Sequence, residues 1–222
     1  MARYEYNKDY PFAVYVTNLG KYNEGMLVGE WVHLPTTAKE MKEVFERIGI
    51  GQKDDFGCPY EEWFITDYDC YVTGLCRWLG KYENLDELNY LAARLDEMSN
   101  YDLELFEAVI EIGDCGDSVK DLINLMDNLD NYMVFSGVTN DYDLGYYYIE
   151  ESGCYDTDKL GTLGRYIDYE AFGRDVRYEE GGCFTSAGYI SHDGSSFTEY
   201  YEGAEDIPDE YRVMTFEEEE DE

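Results

Sequence analysis

The stretch that decides the N-terminal fold is FAVYVTNLGKYNEGMLVGEWVHL, residues 12–34. A run of β-branched and aromatic residues fills positions 12–18, and a second such run covers Leu27–Leu34. The segment between them, residues 20–25, has the glycine-containing composition of a loop, so the pattern predicts two antiparallel strands. A third predicted strand, Glu62–Thr66, would complete a small sheet.

A helix is predicted directly after the first two strands. Thr37 and Glu40 have the spacing of a capping box, in which the two side chains satisfy backbone N–H groups at the start of a helix. Apolar residues then recur at helical spacing from Met41 to Ile48, and Gly49 supplies a stop. This helix is expected to lie across the sheet.

In the middle of the chain the apolar spacing changes from alternation to a period of 3.6, which predicts helices. Three apolar faces follow one another, at Leu85–Leu95, Leu103–Ile110 and Val119–Met126. Asn84 and Ser118 precede two of them as candidate N-caps. The short connections imply antiparallel packing.

The last part of the chain mixes both patterns. Strands are predicted at Tyr132–Phe135 and Gly182–Ile190, with a tyrosine-rich stretch at Tyr142–Ile149 and a helix from about Lys159 to Asp175 between them. Beyond about residue 204 the periodicity is lost, and the chain ends in Phe-Glu-Glu-Glu-Glu-Asp-Glu, which predicts a disordered acidic tail.

Together these elements predict an α+β fold of three small units followed by a tail. A three-stranded sheet with one helix is expected at 1–68, a helical bundle at 69–128 and a mixed α/β unit at 129–203. The acidic tail would occupy 204–222.

The charge balance limits the possible partners. The 222 residues include 51 Asp and Glu but only 16 Lys and Arg, which gives a net charge of −35. Because 44% of the residues are hydrophobic, the chain can still bury a core. The charge repels nucleic acid and anionic lipid, and no apolar run is long enough to span a membrane. We therefore expect neither nucleic acid nor a membrane as a partner.

The cysteines contain no C-x-x-C pair, which argues against a zinc site. A chain of this length does not need disulfides for stability, and the N-terminus does not have the pattern of a secretory signal. We therefore expect six reduced thiols in a cytoplasmic protein. They are Cys58, Cys70, Cys76, Cys115, Cys154 and Cys183.

One group of acids has a regular spacing that suggests a partner-binding surface. In the predicted helix at 102–112 the acids fall at i, i+3 and i+7, opposite the apolar face, and further acids continue the series toward the next helix. We call this set the acidic ridge. Its members are Glu104, Glu107, Glu111, Asp114, Asp117, Asp121 and Asp127.

The spacing of the acidic ridge is of the same order as that of DNA phosphates. At a helical rise of 1.5 Å per residue, successive acids lie about 4.5 to 6 Å apart along the axis. Duplex DNA carries one charge per roughly 1.7 Å, so 35 charges correspond to roughly 60 Å of duplex. A protein with this surface could occupy the basic groove of a DNA-binding enzyme. The alternative is a halophilic or cation-buffering acidic domain.

Catalytic motifs are missing from the sequence. No nucleotide-binding, zinc-protease or serine-hydrolase motif is present, and His33 and His192 lie far apart. The segment Asp141–Gly145 begins like a calcium loop but does not match one, because positions 145, 146 and 152 carry Gly, Tyr and Ser in place of the required residues. With so many acids, a hydrolase based on two carboxylates stays open as a third alternative. We predict no catalytic residue, no metal site and no cofactor.

Several segments resemble the ArdA-type antirestriction proteins, and the resemblance spans roughly residues 12–192. The similar segments are Tyr15–Gly25, Gly29–Trp31, Pro35–Thr37, Trp63–Asp67, Gly164–Asp175 and Gly181–Gly182. The resemblance implies an elongated α+β protein of three units that forms a homodimer through its C-terminal units. It also implies mimicry of bent B-form DNA and inhibition of Type I restriction-modification enzymes, and such proteins are typical of plasmids and conjugative transposons.

The resemblance further identifies Leu163–Asp175 as the family's antirestriction motif, which is expected near the dimer contact. An ordinary amphipathic helix is the alternative interpretation of this stretch. The candidate residues of the motif are Leu163, Tyr166, Asp168, Tyr169, Glu170, Phe172 and Arg174.

Overall fold

The computed structural model describes residues 10–114 and 116–215, apart from the side chain of Asp158. Its described part is mixed α+β, as predicted, and it divides into two compact units. Of the described residues, the first unit contains 10–99, 116–124 and 199–215, and the second contains 100–114 and 125–198.

The first unit is built on the predicted three-stranded sheet. Its strands are β1 (Phe12–Asn18), β2 (Gly29–Leu34) and β3 (Trp63–Cys70), in the antiparallel order β2-β1-β3. The central strand β1 is almost entirely buried. A short helix, α1 (Leu19–Asn23), occupies part of the predicted loop between β1 and β2 because the Asn18 side chain accepts a hydrogen bond from the backbone of Lys21.

Helix α2 (Ala38–Ile48) follows the predicted pattern. The Thr37 side chain accepts a hydrogen bond from the Glu40 N–H, and the Glu40 carboxylate accepts one from the Thr37 N–H, both at 3.2 Å. The helix ends where Gly49 adopts φ 82°, a left-handed conformation that glycine reaches without strain. The predicted capping box and stop are therefore confirmed.

Three further helices confirm the predicted helical region. They are α3 (Leu85–Asp96), α4 (Asn100–Ile112) and α5 (Val119–Met126). The Asn84 and Ser118 side chains accept backbone hydrogen bonds at the starts of α3 and α5, as predicted. Within the described ranges, no helix combines the length and the apolarity needed to cross a bilayer.

The two units do not follow the predicted boundaries at residues 68, 128 and 203. Helix α3 belongs to the first unit with the N-terminal sheet, whereas α4 belongs to the second unit. Residues 199–215 also join the first unit. Apolar spacing predicts each helix, but it does not show which helix packs with which sheet.

Residues 204–215 are not the start of a tail. Ile207 and Val213 are buried in the first unit. Asp86 in α3 accepts hydrogen bonds from the backbone N–H groups of Val213 and Met214, at 2.6 and 2.8 Å. The prediction of a tail from residue 204 is therefore wrong for 204–215, and Phe216–Glu222 lies outside the described residues.

Buried asparagine side chains also attach the C-terminal segment. Asn124 of α5 accepts hydrogen bonds from the N–H groups of Tyr200 and Tyr201, and its amide donates to the Tyr201 carbonyl, at 2.8 to 2.9 Å. Asn89 of α3 donates to the Tyr211 carbonyl at 2.9 Å. These bonds satisfy an irregular backbone that has no strand partner, which explains why the segment shows no periodicity.

The second unit contains a second three-stranded antiparallel sheet and a pair of helices. Strands β4 (Tyr132–Ser136), β5 (Cys183–Thr185) and β6 (Gly188–His192) pair in the order β4-β6-β5. The predicted strand at Gly182–Ile190 is thus a hairpin. Helix α6 (Asp141–Tyr146) occupies the tyrosine-rich stretch and continues as one π-helical turn.

Helix α7 (Tyr169–Glu180) begins and ends later than the helix predicted from Lys159 to Asp175. Residues 157–166 form 3₁₀ turns, which Gly161 interrupts with φ 52° and ψ −123°. Asp168 then caps α7, because its side chain accepts a hydrogen bond from the Ala171 N–H. The apolar spacing alone did not reveal this break.

A disulfide joins Cys70 and Cys76, which corrects the expectation of six reduced thiols. The chain turns back after β3, with Val72 and Leu75 buried in the turn, and this brings the two Cα atoms to 6.2 Å. The spacing of six residues does not reveal such a turn. Cys58, Cys154 and Cys183 are exposed free thiols, and Cys115 lies outside the described residues.

We predict that Asn124→Ala lowers the free energy of unfolding by about 3 kcal/mol, because buried N–H groups and a carbonyl lose their partner. Urea denaturation measures this change, and limited proteolysis reports whether residues 199–215 detach. Asn23→Ala, at an exposed position of α1, is the control and should change stability by less than about 0.5 kcal/mol. Equal stability of the two variants would contradict the role of Asn124.

Candidate partner-binding surface

The carboxylates lie at the surface of both units. None of the described Asp and Glu residues is buried, whereas the buried polar residues are all uncharged. An unpaired carboxylate is costly to remove from water, so the core excludes it. The excess negative charge is therefore presented to solvent, where a partner can reach it.

The ridge acids on α4 and just after it differ in exposure. Glu104 and Glu107 are half-buried, and Glu111 and Asp114 are exposed. Six apolar side chains of the same helix are buried, so only a thin polar strip remains. The buried residues are Leu103, Leu105, Phe106, Ala108, Val109 and Ile110.

Three ridge members accept hydrogen bonds from neutral groups of the protein. Glu111 accepts from the N–H and hydroxyl of Ser186 at 3.1 and 2.7 Å. Asp114 accepts from the Tyr132 hydroxyl at 2.8 Å. Asp121 accepts from the Ser118 N–H at 3.1 Å. These bonds fix the carboxylates and leave their charge in place.

The ridge residues are divided between the two units. Asp117 and Asp121 belong to the first unit, whereas the α4 acids, Asp114 and the exposed Asp127 belong to the second. A continuous ridge across all seven residues therefore stays a prediction.

Tyrosine hydroxyls hold other carboxylates in the same way. Among the described residues, six tyrosines donate hydrogen bonds of 2.9 Å or less to Asp or Glu side chains, and each pair lies within one unit. The pairs are Tyr60–Glu24, Tyr132–Asp114, Tyr148–Glu180, Tyr169–Glu150, Tyr189–Glu180 and Tyr201–Glu87. A tyrosine orients a carboxylate without neutralising it, which a lysine or arginine cannot do.

These hydroxyls remain donors at neutral pH. The hydrogen bond to Glu150 is the main cause that raises the pKa of Tyr169 to about 12. Burial, followed by the hydrogen bond to Glu180, raises the pKa of Tyr148 and Tyr189 above the usual range of a phenol. Because a phenolate beside a carboxylate is disfavoured, the tyrosine–carboxylate pairs persist throughout the physiological range.

The predicted antirestriction motif covers the end of the 3₁₀ segment, residues 163–166, and the first part of α7. Leu163 and Tyr166 precede the helix and are strongly exposed, at 68% and 84%. Glu170 and Arg174 are exposed on α7, and Phe172 packs edge-on against Tyr155 with ring centroids 5.6 Å apart. The motif therefore presents apolar and charged groups together.

Tyr169 of the motif contacts α6 through its ring. Its ring packs against Tyr142 and Tyr146, with centroids 5.5 Å away in both cases. Its hydroxyl donates to Glu150 at 2.5 Å. Tyr169 thus connects the motif to the tyrosines of α6.

Two glycines that the sequence interpretation overlooked allow this contact. A Cβ atom on Gly173 would lie 1.8 Å from the Asp141 carbonyl oxygen, and one on Gly145 would lie 1.9 Å from the Tyr169 carbonyl oxygen. The backbones of α6 and α7 therefore touch, and an ion pair between Arg177 and Asp141 at 2.7 Å adds to the contact. An isolated glycine within a helical pattern is the signal that could have revealed it.

Both histidines pack against tyrosine rings. His33 stacks on Tyr10 at 3.9 Å, and His192 packs edge-on against Tyr132 at 4.8 Å. The partial calcium-loop segment Asp141–Gly145 is helical. Among the residues that the structure describes, no group of three or more His, Cys, Asp or Glu is arranged to hold a metal ion.

A family model described as "Antirestriction protein (ArdA)" matches residues 14–191. The match runs from β1 to β6 and includes helices α1 to α7. No individually curated protein matches the chain closely enough to count as a relative.

We predict that Gly173→Ala destabilises the second unit by about 3 kcal/mol, because the added methyl group would collide with the backbone of α6. Gly164→Ala is the matched control in the same motif, since its Cβ would meet its nearest atom at 4.0 Å. Thermal and urea denaturation followed by circular dichroism measure both variants. If Gly173→Ala is as stable as Gly164→Ala, the close helix contact is refuted.

Proposed function

The chain belongs to the ArdA family of antirestriction proteins, which implies inhibition of Type I restriction-modification enzymes, and from that premise we propose that it inhibits by mimicking DNA. In this proposal the enzyme binds DNA in a groove formed by its methyltransferase and specificity subunits. The carboxylates of the inhibitor occupy the positions in that groove where DNA phosphates would lie. The protein binds the enzyme stoichiometrically and catalyses no reaction. The expected target is a Type I restriction-modification enzyme in the cytoplasm.

The observation that carries the proposal is the set of surface carboxylates held by neutral donors. A mimic of DNA must keep its charges unpaired, because a cation supplied by its own chain would cancel the charge that attracts the enzyme. Asp114, Glu150 and Glu87 accept hydrogen bonds of 2.5 to 2.9 Å from tyrosine hydroxyls, which are neutral donors and add no positive charge. Such preorganisation lowers the entropy lost on binding.

The net charge also has a suitable magnitude for this role. The net charge of −35 per chain corresponds to roughly 60 Å of duplex DNA, and a homodimer would match about twice that length. The exposed Leu163 and Tyr166 of the antirestriction motif support a dimer contact in the C-terminal part of the chain, because they offer apolar area in a strongly anionic surface. Dimerisation would give the elongated shape that the resemblance implies.

The experiment that tests this function is competition with DNA. The protein is titrated against a labelled duplex bound to a Type I methyltransferase, at low and moderate salt. We expect stoichiometric displacement of the duplex, which weakens as salt rises because releasing counterions into a more concentrated solution gains less free energy. A duplex that stays bound at excess protein would refute DNA mimicry, and folding that requires molar salt would favour a halophilic domain.

Variants of the acidic ridge extend the same titration. Successive neutralisation of Glu104, Glu107 and Glu111 to Gln should weaken displacement in small, cumulative steps. The matched control neutralises three exposed acids of the first unit, Glu46, Glu61 and Glu62, and changes net charge equally. If both sets of variants lose displacement equally, the ridge is no more important than other surface acids. If one substitution abolishes displacement, binding is not distributed over many carboxylates.

We predict that Tyr60→Phe and Tyr169→Phe each weaken displacement about two- to fivefold, although neither changes the net charge. Each variant loses a hydroxyl donor that orients a carboxylate. The salt dependence should keep its slope, because the number of charges is unchanged. Tyr200→Phe, at an exposed tyrosine, is the control, and equal displacement by all three variants would contradict the orienting role.

A further inference from the structure

A cavity of about 540 Å³ lies in the second unit between β4, the turn that follows it and one side of α6. We propose that this cavity binds an arginine side chain of the partner protein. Its lining combines aromatic rings with carboxylates. The lining residues are Val134, Phe135, Ser136, Gly137, Val138, Tyr142, Asp143, Tyr146, Tyr147 and Glu151.

The apolar part of the lining is formed before any ligand arrives. Val138 is buried in the hydrophobic core of the second unit, and Phe135 and Tyr147 pack against that core. The rings of Phe135 and Tyr147 meet edge to face at 5.0 Å. Side chains fixed in this way lose little freedom on binding.

Two exposed tyrosines complete the aromatic lining. The rings of Tyr142 and Tyr146 lie 6.5 Å apart with planes inclined by only 15°. Tyr169 of the antirestriction motif packs against both rings, and its hydroxyl is bonded to Glu150. The motif therefore acts on the cavity as a support, so that Tyr169 is a positioning residue for Tyr142 and Tyr146.

The charged part of the lining is entirely negative. Asp143 and Glu151 are its carboxylates, and the lining contributed by the described residues contains no lysine or arginine. Asp143 is held by hydrogen bonds from the Thr139 N–H at 3.2 Å and the Asn140 amide at 2.7 Å to one carboxylate oxygen. Glu151 is exposed at the end of the π-helical turn. Aromatic rings beside unneutralised carboxylates favour a cation and disfavour an anion.

Arginine fits this lining better than lysine. A guanidinium group is planar, stacks on aromatic rings and donates two parallel hydrogen bonds to one carboxylate. An ammonium group is a compact, strongly hydrated charge. The inference rests on the proposed function for the source of the arginine, because the DNA groove of a restriction enzyme presents cationic side chains. The cavity would give this arginine an aromatic contact that a DNA phosphate cannot provide.

The direct test uses the full chain and a small probe, so it does not depend on any enzyme. N-acetyl-arginine amide is titrated at constant ionic strength and followed by NMR of the tyrosine rings, beside the lysine and citrulline analogues. We expect saturable shifts of Tyr142 and Tyr146 with arginine, binding at least about threefold weaker with lysine, and none with the uncharged citrulline. Equal shifts with all three probes would overturn the proposal.

Matched variants separate the cavity from general surface charge. Glu151→Gln should weaken arginine binding about fivefold, because the guanidinium loses a charged acceptor. Glu179→Gln removes the same charge at an exposed position of α7 that does not line the cavity, and it should leave binding unchanged. Equal weakening by both variants would show that only net charge attracts the probe.

The competition assay then distinguishes the two proposals. If the wild-type chain displaces DNA and Glu151→Gln displaces it equally well, the arginine anchor is refuted and DNA mimicry stands. If the wild-type chain displaces no DNA, DNA mimicry fails, and the probe titration still decides whether the cavity takes arginine.

Discussion

The hydrogen bond from a tyrosine hydroxyl to a carboxylate is the interaction on which this surface depends. With 51 acids and 16 bases, most carboxylates cannot be paired with a cation. Tyr169 and Tyr201 show the alternative, since each hydroxyl fixes a Glu side chain without cancelling its charge. These tyrosines thereby meet two demands: they order the carboxylates, and they add no positive charge beside them. A surface that presents charge to a partner requires both.

The contact between α6 and α7 gives the predicted antirestriction motif a structural role in the second unit. Gly145 and Gly173 bring the two backbones together, so the motif helix is part of the structural frame of the second unit. Tyr169 then supports the rings of Tyr142 and Tyr146 from behind. Residues of the motif can therefore influence partner binding through the surface that they support, in addition to any contact between two copies of the chain.

Local patterns predicted local elements well. A run of β-branched and aromatic residues indicated β1, the capping box of Thr37 defined α2, and Asn84 and Ser118 marked the starts of α3 and α5. The N-terminus of α7 was missed, because 3₁₀ turns precede it and Asp168 caps it only after that break. Of the candidate site, the sequence revealed the acids and the motif, but neither the tyrosine partners nor the cavity. Those depend on residues that are distant in the chain.

The sequence by itself determined the sign and size of the charge, the α+β character and the family resemblance, because these follow from composition and from short-range spacing. The tertiary structure decided which carboxylates are held, since Glu150 meets Tyr169 only when α7 packs on α6. It also decided that residues 204–215 join the first unit, because Asn89 and Asp86 supply hydrogen bonds that no periodicity encodes. Side-chain partners of an irregular backbone are set by packing, and packing is not visible in a linear pattern.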